Sequence, residues 1–251
     1  MISKAKISEL RKLSQKKFRE ETGLFIVEGT KSVLDLLHSD LNIREMYALP
    51  TWKAAYGGAV ASVVCEEVNE TELERISCLT TPQEVIAVVE RPVYNIESVN
   101  YQDFILVLDG IRDPGNLGTI IRTADWFGIK QVVCSPDCVE WTNPKTIQAT
   151  MGSFTRIAIY EKELVPFLNS KKIAANIYGA FMQGDDIRTL DFEKNAILII
   201  GNEGKGITPE VANCVTRKIH IPSFATSDIH AESLNASIAA AVSMYEMRRK
   251  F

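Results

Sequence analysis

Apolar residues recur along this chain at two spacings, and the alternation between them organises it. In residues 1–20, Ile7, Leu10, Leu13 or Ser14, and Phe18 fall three or four apart with bases on the other face, which predicts a helix ended by Thr22-Gly23. Shorter runs then predict a strand at Leu24–Val27, a helix at Thr30–Leu37, a strand at Ile43–Leu49, a strand near Ser62–Cys65, a helix at Thr71–Leu79 and a strand at Val85–Val89. The stretch Arg91–Asn100 is polar, holds Pro92 and has no period, so the boundary falls at 93–102, between a small α/β unit of residues 1–92 and a larger one of 103–251.

The second half alternates again, with strands expected at Phe104–Leu108, Gln131–Cys134, Thr155–Tyr160, Lys172–Ala175, Ala196–Ile200 and Lys218–Ile221. Ile105-Leu106-Val107-Leu108 and Ala196-Ile197-Leu198-Ile199-Ile200 are apolar at consecutive positions, so both faces should be buried, as in a parallel sheet covered by helices. In the last helix Leu234, Ile238, Ala241 and Tyr245 form one apolar stripe. Ser233 is placed to cap it, and Arg248-Arg249-Lys250 sit where its dipole favours cations.

Composition narrows the class. At 251 residues and 46% hydrophobic the chain suits a globular α/β protein, and no apolar run approaches the roughly 20 residues of a membrane helix. Met1–Lys6 is basic without the apolar stretch of a signal peptide, so the expected location is the cytoplasm, with no membrane partner. Cys65, Cys78, Cys134, Cys138 and Cys214 form no C-x-x-C pair and lie apart from the three histidines; reduced thiols and no bound metal are expected. The net charge of −4 argues against a nucleic-acid partner until its distribution is seen. Lys4, Lys6, Arg11, Lys12, Lys16, Lys17 and Arg19 face only Glu9 in residues 1–19, a basic arm on an acidic body that suits either contact with an RNA backbone or simple solubility.

Three segments carry candidate chemistry. Leu108-Asp109-Gly110-Ile111-Arg112-Asp113-Pro114-Gly115-Asn116-Leu117-Gly118 leads from a buried strand through a loop into a helix bearing Arg122. Such strand-end loops bind ligands in open α/β sheets, although Asn116 is equally placed to cap the helix and Arg122 to pair with Asp113 or Asp125. Gly201-Asn202-Glu203-Gly204-Lys205-Gly206 follows another buried strand. It matches neither a Walker loop nor the dinucleotide fingerprint, and serves either close backbone approach to a ligand or a tight turn. Third, Ile221-Pro222 precedes an irregular stretch and then Ser233-Leu234-Asn235-Ala236-Ser237 at a helix start. His220, flanked by Ile219 and Ile221, reads as a strand residue outside the site.

In this order and at these strand ends, the three segments resemble the signature motifs of the SPOUT superfamily, in its SpoU/TrmH branch of RNA ribose 2′-O-methyltransferases. The resemblance covers residues 101–250, and the unit containing Val27-Glu28-Gly29 is similar to a ribosomal-protein-like substrate-binding domain. It implies an α/β trefoil-knot domain, S-adenosyl-L-methionine as cofactor, structured RNA (ribosomal or transfer RNA) as partner, and a homodimer. Carried over by position, Arg122, Asn116, Glu203, Ser233 and Asn235 would be catalytic, and main-chain groups at Gly201, Ile221 and Leu234 would hold the cofactor. A guanidinium holds its proton too firmly to be a good base, so Arg122 is expected to orient the nucleotide and stabilise negative charge. The stretch Ser223–Glu232 is longer than the usual family turn. Two other classes compete: an RNA-binding or ribosome-assembly protein on the same fold without turnover, and a nucleotide-dependent oxidoreductase, which the absent fingerprint disfavours.

Overall fold

The computed structural model describes every residue except 1, 61–62, 171–172 and 228–230. In chain order its elements are α1 (Lys4–Lys12), α2 (Lys16–Thr22), β1 (Leu24–Glu28), α3 (Thr30–Leu37), β2 (Ile43–Ala48), α4 (Pro50–Tyr56), β3 (Cys65–Glu67), α5 (Glu70–Ile76) and β4 (Val85–Glu90). There follow β5 (Ile105–Asp109), α6 (Pro114–Trp126), β6 (Gln131–Cys134), α7 (Pro144–Thr150), β7 (Ala158–Glu161), α8 (Leu164–Leu168), β8 (Ile177–Asp186), β9 (Ile197–Gly201), α9 (Pro209–Ala212), β10 (Arg217–His220) and α10 (Ala236–Arg248).

The chain divides into two compact units, one of Met1–Val93 with Glu140–Arg156, the other of Tyr94–Val139 with Ile157–Phe251. The sequence pattern kept 140–156 with the second half, because nothing in its local period distinguishes it. Its aromatic side chains explain the difference: Trp141 and Phe154 meet the ring of Phe25 on β1 edge-on, at 5.4 and 6.1 Å.

The first unit is a four-stranded sheet in the order β1-β4-β2-β3, antiparallel except for β2 with β3. Leu10 and Leu13 from the N-terminal helices, and Leu73 and Ile76 from α5, cover Ile26, Ile86 and Val88 of the sheet. The helix expected over 1–20 is two: the Leu13–Gln15 turn interrupts it, and Arg19 of α2 donates to the carbonyl of Leu13 at 2.8 Å. Gly23, at φ +66°, closes α2 in a conformation that penalises any side chain. α4 was not anticipated; Pro50 starts it at a position where a missing N–H costs nothing. The strand expected near Ser62–Cys65 is β3 at Cys65–Glu67, and Ser62 lies outside the described residues.

The second unit is a six-stranded sheet, every pair parallel, in the order β10-β8-β9-β5-β6-β7. β5 and β6 are buried at every position, as their unbroken apolar runs predict. β7 begins three residues later than expected, after a 3-10 turn at Ser153–Thr155. The strand expected at Lys172–Ala175 is found at Ile177–Asp186; Lys172 is outside the described residues. In α10 the order of faces is reversed. Ala236, Ala240, Ser243, Met244 and Met247 are buried, whereas Leu234 and the helix residues Ile238, Val242 and Tyr245 are exposed. The stripe read from the sequence is therefore the outward face. For function, the decisive pairing is Asp109 with Gly201, which sets the carboxyl ends of β5 and β9 side by side.

Candidate functional site

Each of these two strand ends opens into one motif loop, so the first and second segments must meet. Asp109, the last residue of β5 and only 3% exposed, accepts from the Thr208 N–H at 2.7 Å and from its hydroxyl at 2.9 Å. One buried carboxylate thus ties the far end of the glycine loop to the start of the first loop. Gly110 turns the chain at φ +70°. The neighbouring loop after β6 supports this turn: the Ser135 hydroxyl accepts from Gly110 N–H at 2.9 Å, and Cys138 Sγ accepts from Ile111 N–H at 3.2 Å. Beside it, hydrogen bonds from Ser135 and then Arg112 hold the Asp137 carboxyl below its usual range against the cost of partial burial.

α6 begins at Pro114 and is capped by Asp113, whose side chain accepts from Asn116 N–H at 2.8 Å. Asn116 is therefore not the cap, and its side chain is free for other work. Its Nδ2 donates to Glu203 Oε1 at 2.6 Å, while its Oδ1 accepts from Asn235 Nδ2 at 3.0 Å. Asn235 is also the cap of α10, its Oδ1 accepting from the Ser237 N–H at 2.9 Å and hydroxyl at 2.6 Å. The expected cap, Ser233, is exposed in the segment before the helix and has no hydrogen-bond partner among the described residues. One residue from each motif thus joins a continuous chain, Glu203–Asn116–Asn235.

Two residues of that neighbourhood were quoted in the motifs without a role. Asn202 is the hub of the glycine loop: its Nδ2 donates to the Gly110 carbonyl at 2.8 Å and to Glu203 Oε2 at 3.2 Å. Its Oδ1 accepts from the N–H groups of Gly204 at 3.0 Å and Lys205 at 3.1 Å. An asparagine followed by Gly-x-Gly is the sequence signal for such a turn. Asp109 was legible only as an ionisable residue ending an apolar strand.

The remaining site candidates are arranged differently. Arg122, six residues along α6 from Asn116, is exposed and has no hydrogen bond or ion pair among the described residues, so it pairs with neither Asp113 nor Asp125. Gly201 has a steric reason to be glycine: a Cβ would stand 2.3 Å from the carbonyl carbon of Gly206 and the nitrogen of Ile207. The backbone groups of Ile221 and Leu234 take no hydrogen bond among the described residues. Unpaired main-chain N–H and C=O groups are the complement a nucleoside requires, so these loops fit a nucleoside-bearing cofactor. His220 ends β10 opposite Asp186 of β8, with its Nδ1 buried and unpartnered. Among the described residues no cluster of side chains suits a metal ion, and no helix is long and apolar enough to cross a membrane.

Comparison with known proteins bears on the same elements. Residues 4–87 match the model of an MRM3-like substrate binding domain. Over 245 residues the chain is 28% identical to the 23S rRNA (guanosine(2553)-2′-O)-methyltransferase RlmP of Bacillus subtilis, covering 97% of this chain and 96% of that protein. Among solved structures, a TrmH-family protein from Porphyromonas gingivalis superposes with a TM-score of 0.89 at 36% identity, covering all of both chains. An AdoMet-bound rRNA methyltransferase from Sinorhizobium meliloti superposes with a TM-score of 0.87 at 30% identity, covering 100% of this chain and 96% of that one. Residues 103–245, which contain all three motif loops, match the model of the SpoU rRNA Methylase family, and the chain belongs to that family.

Proposed function

We propose that this chain transfers a methyl group from S-adenosyl-L-methionine to a ribose 2′-hydroxyl of structured RNA, ribosomal or transfer, working in the cytoplasm. The observation that carries the reading is the hydrogen-bonded chain of Glu203, Asn116 and Asn235, which gathers the three motif loops at adjoining strand ends. Bound S-adenosyl-L-methionine would supply the methyl group from its sulfonium centre, which departs as a neutral thioether while the ribose hydroxyl gives up its proton. Backbone groups of Gly201, Ile221 and Leu234 would hold it, with Gly201 needed so that the loop can close on itself. What the protein must add is placement of the nucleophile and stabilisation of the charge it develops.

Arg122 supplies the free charge. An unpaired guanidinium on a helix is available to a phosphate or to a developing alkoxide. Glu203 is held from two sides by Asn116 and Asn202, so its orientation is fixed before substrate arrives. Ser233 and Asn235 complete the polar lining.

The same reading includes a trefoil knot in the second unit, an RNA-binding role for residues 1–92 and a homodimer. The dimer is supported by the outward face of α10, where Ile238, Val242 and Tyr245 are 51%, 38% and 58% exposed, with Trp126 of the adjoining α6 at 85%. Family membership and the AdoMet-bound neighbour favour turnover over a binding protein that keeps the fold alone. The test is methyl transfer from labelled S-adenosyl-L-methionine to unmodified ribosomal and transfer RNA, with the product mapped by resistance of the 2′-O-methylated linkage to alkali. Labelled product without an alkali-resistant position would remove the ribose from the proposal.

A further inference from the structure

Phe224 lies three residues after Ile221, and its ring is 75% exposed. An isolated exposed apolar residue needs no explanation, but this ring is not isolated. The Arg188 guanidinium stands over it, 5.0 Å from the centroid. Nor is that guanidinium loose: Asp186 accepts from its Nε at 2.9 and 3.1 Å, from its Nη2, and from the Arg188 backbone N–H at 3.0 Å. Carboxylate, guanidinium and ring therefore stand in series, with the ring three-quarters exposed to solvent.

The surroundings repeat the theme. Along the same two strands, Lys218 of β10 stands 4.9 Å over the ring of Phe181 on β8, which packs partly against the core, Arg217 pairs with Asp185 at 2.7 Å, and Met182 is 67% exposed. An exposed aromatic ring beside a cation is the kind of surface on which an unpaired nucleobase stacks, because every base has a π-face. The outward face of α10 differs in kind, being an uninterrupted apolar stripe suited to a protein partner.

We propose that Phe224, backed by Arg188, is a stacking platform for an unpaired base of the substrate RNA, close in the chain to the loop that holds the cofactor. The proposal rests on the RNA methyltransferase reading above and adds to it a single-stranded element in the substrate.

The experiment uses the full chain and two short probes, a fluorescent single-stranded oligouridylate and an RNA duplex of equal length, with binding followed by anisotropy. Phe224→Ala is expected to weaken single-strand binding about tenfold, the lower range for loss of one stacked base, with a much smaller change for the duplex. Phe224→Trp should bind the single strand as well as the wild type, and Arg188→Ala should lie between. Calorimetric affinity for S-adenosyl-L-methionine should be unaltered in Phe224→Ala, showing that the site loops are intact. Wild-type single-strand affinity in Phe224→Ala overturns the proposal, and if that variant also dissociates a dimer, the ring is covered by a second copy instead. Failure of the wild type to methylate any RNA strikes the reading beneath, whereas normal methylation with unchanged single-strand binding in Phe224→Ala strikes the platform alone.

Discussion

Two arginines on helices, Arg19 in the first unit and Arg122 in the second, differ in what their guanidinium groups meet: one is bonded within the fold, the other is left unbonded for the role proposed above. Arg19 is 2% exposed and bonded through all three nitrogens: it donates to both oxygens of Glu140 at 2.7 to 3.3 Å and to the Leu13 carbonyl at 2.8 Å. Glu140 is itself buried, and further held by Thr142 and by Arg91 at 3.7 Å. Arg122 is exposed and bonded to nothing described. A buried ion pair is no measure of net stability, since desolvation offsets much of the attraction, but it strongly penalises loss of one partner. A guanidinium without a partner in the fold keeps its donors for a ligand. The basic arm thereby shrinks: Arg19 is committed inside the first unit, Lys6 pairs with Glu9 and Glu45, and Lys16 and Lys17 pair with Glu20 and Glu21 at 3.6 and 3.8 Å, so that Lys4, Arg11 and Lys12 are the exposed bases left for the proposed RNA contact.

The comparison is broken most sharply by truncating each arginine. Arg19→Ala leaves the Glu140 carboxylate buried beside only Arg91 and Thr142, and should cost about 3–5 kcal/mol of stability, read as a lowered midpoint in denaturant. Affinity for S-adenosyl-L-methionine, measured below the transition, should persist. Arg122→Ala should do the reverse. Its midpoint should match the wild type, its cofactor affinity should remain measurable by calorimetry, and kcat for methyl transfer should fall about 100- to 1,000-fold, as expected for removing one group that stabilises developing charge. Full activity in Arg122→Ala would take this residue out of the mechanism.

Gly201→Ala probes the join between the two strand ends. The added methyl would meet the backbone of Gly206 and Ile207 at 2.3 Å, so the loop itself has to move. Overpacking of this kind typically costs about 1–3 kcal/mol. Because the same loop carries Asn202 and Glu203, cofactor affinity should fall with stability, a pairing of effects that neither arginine variant shows. Asn235→Ala is milder, removing the α10 cap at roughly 1 kcal/mol and the bond to Asn116 with it. Its midpoint should fall slightly, and kcat should fall more than the midpoint suggests. Equal, small effects on both would make Asn235 a cap alone.

How much of this was legible in the sequence depended on whether the signal was local. α3 and β6 fall where the pattern puts them because their periods and flanking breakers lie within the segments themselves. The loops of the site were legible as well, since strand ends followed by glycines and helix starts mark them, and three of the five catalytic candidates prove to be mutually bonded. The failures are non-local. Periodicity shows that α10 has two faces but not which is inside, and here the inner one is built of Ala, Ser and Met, small or pliable side chains that allow close approach. Asn202 and Asp109 gain their roles only from the register of β9 on β5. Glu140 and Arg19 stand 121 positions apart, beyond the reach of any window.

The exposed ion pair of the second unit gives the gentlest contrast with the buried one of the first. Hydrogen bonds from Arg188 hold the Asp186 carboxyl down at about 2. The folded value lies below the value of about 3.9 for an unfolded aspartate, so the native state binds the proton less readily and the pair favours folding only while Asp186 is ionised. Its contribution is complete above the unfolded value and is lost as the pH falls from about 4 towards 2. Both side chains are solvated, so the effect is small even at neutral pH. Thermal midpoints of the wild type and Asp186→Asn, compared from pH 6 downward, should differ slightly and converge across that interval. Subtracting the two curves cancels the other carboxylates, so a difference that persists below pH 2 would mean that Asp186 acts on the fold through something other than its charge.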